Sequence, residues 1–286
     1  MPLDPGTVGV SAEPYRATWS SRDAMLYAFC VGAGADELAY TTENTAGLAQ
    51  QVFPTFALTV GHGPKSKRPA FGTFDPTTAV HGEQTITLHK PLPVDGDVVV
   101  RNSIAAMYDK GRDAVVVLEG RANDSTDGAP LFTRRTSVFV RGGGGWGGDR
   151  GQSRPRTHPP ERLPEHETTY ATLPSQALLY RLMGDRGRLH SDPAFAAKAG
   201  FERPTLHGLC TYGFTGRALL HRLCDGDSAR FEHMAGRFSS PVFPGDALTV
   251  RIWTIAPGRA VFTTSVGDRV VISQGQFRYR CPGVSA

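Results

Sequence analysis

The spacing of apolar residues divides the chain into stretches of helical period and stretches of period two. Over residues 20–31, Ala24, Leu26, Tyr27, Cys30 and Val31 share one helical face. Ser20 or Ser21 caps this helix, Asp23 meets the positive end of its dipole, and Gly32 and Gly34 stop it. Residues 1–18, with Pro2, Pro5 and Pro14, read as a loose arm. Residues 53–58 form a buried apolar run, and residues 61–76 a loop. From residue 80 to 140 apolar and polar residues alternate. Residues 84–89, 98–105, 114–122 and 131–140 are bounded by Gly, Pro, Asp or Asn, which predicts an antiparallel meander. Residues 141–168 are rich in Gly, Pro and Arg and mark a linker.

The second half repeats the plan. Ser175 starts a helix running to Met183, and Gly184 ends it. Asp192-Pro193 opens another helix, with Asp as N-cap and Pro at the first helical position, and Gly200 stops it. Residues 207–223 carry apolar positions on all sides, the mark of a buried helix. Three or four strands close the chain, over 231–239, 248–256, 260–266 and 270–279. Two short matches support a duplication: Ala24-Met-Leu-Tyr-Ala with Ala177-Leu-Leu-Tyr-Arg, and Lys90-Pro-Leu-Pro-Val-Asp-Gly-Asp with Ser240-Pro-Val-Phe-Pro-Gly-Asp. The expected architecture is α+β: a helix wrapped by an antiparallel sheet, occurring twice, as one continuous sheet or two abutting ones. The expected units are residues 1–150 and 169–286, joined by a linker over 151–168.

Composition narrows the function classes. With 286 residues, 40% hydrophobic and 20% charged, the chain has an ordinary globular balance. A net charge of +4, spread along the chain apart from Lys65, Lys67 and Arg68, gives no basic stripe for nucleic acid. Cys30, Cys210, Cys224 and Cys281 lie far apart in no zinc-ligand spacing, which fits a reduced cytoplasmic protein. No basic segment followed by an apolar core opens the chain, so no signal peptide is expected, and no apolar run nears the ~18 residues of a membrane span.

The candidate chemistry sits in residues 180–208. Asp185 and His190 share a short loop between two helices, and His207-Gly208 opens the buried helix. A carboxylate, an imidazole and a helix-start N–H are what proton transfer beside a carbonyl needs. The apolar neighbours Leu182 and Leu189 turn the loop inward. A plain reading stands beside this one: an Asx turn at Asp185 and a packed imidazole at His190.

Tyr180-Arg-Leu-Met-Gly-Asp-Arg-Gly-Arg-Leu-His-Ser-Asp-Pro resembles the signature of the MaoC-like, or hydratase 2, family of (R)-specific enoyl-CoA hydratases. Pro204-Thr-Leu-His-Gly-Leu-Cys-Thr-Tyr-Gly resembles the family's following helix. His81-Gly-Glu-Gln, Lys90-Pro-Leu-Pro and Arg141-Gly-Gly-Gly-Gly-Trp-Gly-Gly resemble its N-terminal half. The resemblance implies a double hot-dog fold, two units each with a long helix wrapped by a curved antiparallel sheet. It implies Asp185 and His190 as the catalytic pair, and Gly208 as the glycine whose N–H holds the thioester oxygen. It further implies syn hydration of a 2-enoyl-CoA to the (3R)-3-hydroxyacyl-CoA, and association as a homodimer. The reaction requires no metal and no redox cofactor, coenzyme A being part of the substrate.

The chain departs from the family pattern Gly-Asp-x-Asn-Pro-Leu-His at Gly187 and Arg188, which replace Asn and Pro. This leaves the water to Asp185 and His190 and opens two rivals: a dehydratase of a specialised or carrier-bound thioester, and a thioester-binding subunit with a decayed site. Gly32-Ala-Gly34 stands at the repeat position of Gly184-Asp185, so one active site per chain is expected. The first half then supplies the acyl pocket through Phe53, Phe56 and Leu58, or those three are ordinary core. Glu83 is expected to hydrogen-bond His81 or backbone, and His207 to position the helix start or the thioester. Residues 141–148 serve as flexible backbone near a pantetheine or as plain linker. Lys65, Lys67, Arg68, Arg186 and Arg188 are candidates for coenzyme A phosphates or a solvated face.

Overall fold

A computed structural model describes residues 3–62, 66–151 and 157–281, and Lys65 lies outside them. Ten strands form one continuous antiparallel sheet: β1 Tyr15–Trp19, β2 Ala79–Leu88, β3 Gly96–Asp109, β4 Ala114–Asp124, β5 Pro130–Val140, β6 His166–Ala171, β7 Phe231–Phe238, β8 Ala247–Ala256, β9 Arg259–Val266 and β10 Arg269–Tyr279. The helices are α1 Ser21–Cys30, α2 Leu38–Thr41, α3 Gln176–Tyr180, α4 Pro193–Lys198 and α5 Gly208–Cys224. The strand order is β1-β3-β4-β5-β2-β7-β10-β9-β8-β6. Read inward from either edge, each half contributes its first, third, fourth, fifth and second strand. The duplication is therefore a pseudo-twofold, and the halves meet where β2 pairs antiparallel with β7.

Two strands escaped the period-two reading. Tyr15–Trp19, placed in the loose arm, pairs with β3 and alternates buried and exposed. His166–Ala171, begun inside the expected linker, pairs with β8 at the other sheet edge. Both lie beside proline-rich sequence, and each takes its structure from a partner roughly 80 residues away.

The caps form as the sequence predicts. The Ser20 N–H and hydroxyl both donate to the Asp23 carboxylate, at 2.9 and 2.8 Å, at the start of α1. The Asp192 carboxylate accepts the Ala194 and Phe195 N–H groups at the start of α4. Helix α5 is buried on nearly every side, through Cys210, Tyr212, Phe214, Leu219 and Leu220 among others. Cutting back a residue such as Leu219 would cost about 2–5 kcal/mol. Where α1 ends, Gly32 meets α5 so closely that a Cβ would sit 2.3 Å from the Phe214 ring.

The expected α+β double hot dog is present, with one difference of detail: only the second half carries a long helix. In the first half, Pro54–Leu58 forms a 3-10 turn at the place where Pro204-Thr205 leads into α5, about 150 residues on. Proline and a short apolar run give one turn and no amphipathic stripe to prolong it. The inner face of β2–β5 is therefore incompletely covered. A large apolar cluster shared with α5 covers one end, and Leu3, Ile104, Met107, Ala114, Val116 and Val140 cover the other. Between them lies a cavity of about 240 Å³.

The glycine-rich run after β5 is neither linker nor lining of that cavity. Asp109 at the end of β3 accepts N–H groups from Gly111, Gly145 and Gly147, at 2.8, 3.0 and 2.7 Å, and folds the run back onto the sheet. Its glycines serve close backbone approach: a Cβ at Gly144 would lie 2.2 Å from the Asp113 carbonyl oxygen.

Candidate active site

The loop from α3 to α4 carries Asp185 and His190. Helix α3 tightens into a 3-10 turn ending at Met183, and Gly184 then reverses the chain with φ +108°. A side chain is strained in that left-handed region. A Cβ at Gly184 would also come 3.3 Å from His62, so the loop packs against the first half of the chain. The Asp185 carboxylate accepts the Gly187 N–H at 3.0 Å, the expected Asx turn. A second 3-10 turn, Arg188–His190, brings the imidazole back beside the carboxylate.

Backbone carbonyls fix both imidazoles. His190 Nδ1 lies 2.9 Å from the Thr205 carbonyl oxygen. An oxygen of that kind only accepts, so Nδ1 carries the proton and Nε2 keeps a lone pair. His207, the N-cap of α5, donates from Nε2 to the Asp185 carbonyl at 3.1 Å, while its buried Nδ1 has no partner among the described residues. The two rings stack with centroids 3.8 Å apart, and one donor atom from each of Asp185, His190 and His207 lies within 4.8 Å of the others. That spacing is small enough for a cation. The rings face one another, however, so their in-plane lone pairs run side by side instead of converging, which suits proton transfer better than ligation.

The electrostatics separate the pair's roles. Burial alone would raise the Asp185 carboxyl, but the Gly187 N–H and the imidazoles of His207, His190 and His62 outweigh it and hold the group below its ordinary value. Burial lowers His190, and burial together with His190 lowers His207 to about 4. At neutral pH the site thus holds a carboxylate beside a neutral imidazole with one free nitrogen. The first peptide unit of α5, at Gly208, adjoins this pair, and a Cβ there would lie 3.3 Å from the Phe238 ring. The first N–H groups of a helix lack intrahelical acceptors, so this end of α5 offers donors and a positive dipole end.

Asp185 and Leu209 open on the 240 Å³ cavity, whose other walls come from the first half: Leu58, His62, His81, Gln84, Arg134 and neighbours. The site therefore sits at the junction of the halves. Several expected positions fall elsewhere. Phe53 stacks on Tyr40 at 4.0 Å, and Phe56 packs between Trp19 and Tyr27, so both are core; of the three, Leu58 alone lines the cavity. Arg188 turns away, pairing with Asp192 and stacking over Phe195. Gly187 stays at the pair, where a Cβ would lie 3.2 Å from Asp185 Oδ1 and 3.5 Å from His190 Cδ2. Leu182 is exposed. Arg68 lines the cavity, whereas Lys67 contributes its carbonyl to Asn102. Glu83 points outward near Arg237 and Ser137, and His81 bonds Gln84 instead, at 3.1 Å. The signal for Gln84 was legible: it shares the buried face of β2 with Ile86 and Leu88. His81 joins that face through a bulge between His81 and Glu83, which alternation does not reveal. His62 and Arg134 had no local signal at all.

The double hot dog thus sets a carboxylate–imidazole pair beside the amino end of its wrapped helix, the arrangement that proton transfer next to a carbonyl needs. Comparison with known families makes this specific. Residues 18–142 match the family described as the MFE-2 hydratase 2 N-terminal domain, and residues 156–276 match the MaoC like domain. The chain is 45% identical to 3-hydroxyacyl-thioester dehydratase Y of Mycobacterium tuberculosis, over 98% of this chain and 99% of that protein. It is 37% identical to the peroxisomal enoyl-CoA hydratase 2 of Arabidopsis thaliana, over 89% of this chain and 87% of that protein. The crystal structure of a MaoC-like dehydratase from Phytophthora capsici superposes with a TM-score of 0.91 at 30% identity, covering 99% of this chain and 100% of that one. The chain belongs to the MaoC-like hydratase family.

Proposed function

We infer that this chain is a lyase that adds water reversibly across the 2,3 double bond of a 2-enoyl-CoA, giving the (3R)-3-hydroxyacyl-CoA. Asp185 and His190 hold the water. As its oxygen bonds C3, His190 Nε2 and the Asp185 carboxylate take up one proton between them. The electron pair of the double bond moves toward the thioester, whose oxygen is held by the Gly208 N–H. A proton then returns from the pair to C2, completing the addition of H and OH. Positioned acid–base groups of this kind contribute roughly 10²–10⁴-fold, and a donor aimed at the oxyanion about 3 kcal/mol more.

The observation that carries this reading is the His190 Nδ1 bond to the Thr205 carbonyl, which leaves Nε2 basic on a ring beside Asp185. The likeness to a 3-hydroxyacyl-thioester dehydratase favours the reverse direction as a second reading, with the same residues in the same roles. No described helix is long and apolar enough to cross a membrane. Four free cysteines support a cytoplasmic protein, and a homodimer is part of the proposal. The test is loss of enoyl absorbance from crotonyl-CoA and longer 2-enoyl-CoAs, with the product's configuration determined. Binding of the thioester without any loss of absorbance would make the chain a thioester-binding subunit.

A further inference from the structure

Arg134 is a buried cation that forms no ion pair with a carboxylate among the described residues. It is 8% exposed and stands on the inner face of β5, lining the cavity. Nη1 donates to the carbonyls of Val60, Ala57 and Leu58, at 2.7, 3.3 and 3.4 Å. Beside it also lie the Asn102 amide and the Tyr15 hydroxyl, which donates its own proton to the Gly61 carbonyl. The described residues include every Asp and Glu side chain of the sequence, and no ion pair among them includes Arg134. The nearby Glu119 carboxylate is held by Arg121 and Arg135, both at 2.6 Å. A second cation, Arg68, lines the same cavity, and Asp185 borders it as well. Gln84 has its amide committed to the Thr85 and Arg135 carbonyls and to Thr136. The protein thus carries a buried positive charge without an ion-pair partner in the cavity onto which Asp185 opens.

A buried charge is stable only when it is paired or well hydrogen-bonded. A methyl-terminated chain pressed against Arg134 would strip its water and return nothing. A carboxylate would form charge-assisted bonds to the planar fork, which suits that group in particular. We propose that Arg134 receives the far end of the acyl group and that this end is a carboxylate: the preferred substrate is the coenzyme A thioester of a dicarboxylic 2-enoic acid. The inference rests on the thioester reading above and deepens it.

Equilibrium binding separates the two. The protein is titrated with saturated dicarboxylic thioesters, adipoyl- through sebacoyl-CoA, and with the ω-hydroxy and monocarboxylic thioesters of equal length. At the best-fitting length the dicarboxylic ligand binds at least about tenfold more tightly than the monocarboxylic one, with the hydroxyl between them. Arg134→Met erases the preference, and Arg134→Lys restores part of it. Equal or tighter binding of the monocarboxylic series at every length overturns the inference, as does a preference that survives Arg134→Met. Should that variant not fold, the wild-type series decides alone. A protein that prefers dicarboxylic thioesters yet hydrates none of their enoyl forms upholds the role of Arg134 and removes the catalytic reading. One that hydrates all enoyl thioesters without preference does the opposite.

Discussion

The imidazoles of His190 and His207 lie face to face, centroids 3.8 Å apart and planes 25° from parallel. One ring is half-buried in the loop between α3 and α4, and the other is sealed at the start of α5. Two imidazolium ions so stacked would repel strongly. Burial lowers His190, and burial together with His190 lowers His207, so the His190 lone pair stays available near neutral pH.

Asp185→Asn and His190→Gln should each lower the hydration rate by roughly 10²–10⁴-fold. Both residues lie in a loop outside the apolar core, so circular dichroism and melting temperature should stay close to wild type. A variant with near-normal turnover would remove that residue from the chemistry.

Gly187→Asn should raise the rate with short enoyl-CoAs. The backbone at Gly187, φ −54° and ψ 130°, accommodates any side chain. A Cβ there faces both Asp185 and His190, so an added amide stands where it can hold the water. Steady-state kinetics on crotonyl-CoA would check this. An unchanged rate would mean that the water is already held without the amide.

Gly208→Ala should reduce kcat about ten- to hundredfold, with a smaller change in KM, because the methyl crowds the approach to the N–H proposed to hold the oxyanion. Phe238 must yield a few tenths of an ångström to admit it. A fall in KM-limited binding with kcat intact would move the oxyanion donor elsewhere.

Stability should fall with acid in a defined window. Burial lowers His207 to about 4, His81 to about 4 and His62 to about 3, so each binds its proton more readily in the unfolded chain. Their stabilising effect is full above about pH 6.5 and is lost as pH drops toward 4, by up to about 1.4 kcal/mol per pH unit for each group. Asp185, held below its ordinary value, acts at lower pH: its contribution is present above the unfolded value and disappears as pH falls through the folded one. Urea midpoints from pH 8 down to 4 should be flat and then decline. A midpoint constant down to pH 4.5 would contradict neutral buried imidazoles.

By itself the sequence determined the local elements and the motif. Capping residues, glycine stops and period two placed α1, α4, α5 and eight of the ten strands, since these signals act within a few residues of one another. The Asp185–His190 loop was legible for the same reason: a glycine stop and an Asp-Pro start bracket it. The tertiary structure decided what long-range pairing controls. β1 and β6 are strands because β3 and β8 supply their hydrogen bonds. Phe53 and Phe56 turn to the core while Leu58 faces the cavity, because the single turn at Pro54–Leu58 lies against Tyr40, Trp19 and Tyr27, residues that no spacing rule brings together. His62 and Arg134 share a cavity with Asp185 only through the junction of the two halves, whose register is set across the whole sheet. Periodicity fixes which face of an element is apolar, whereas the partner of that face depends on contacts distant in the chain.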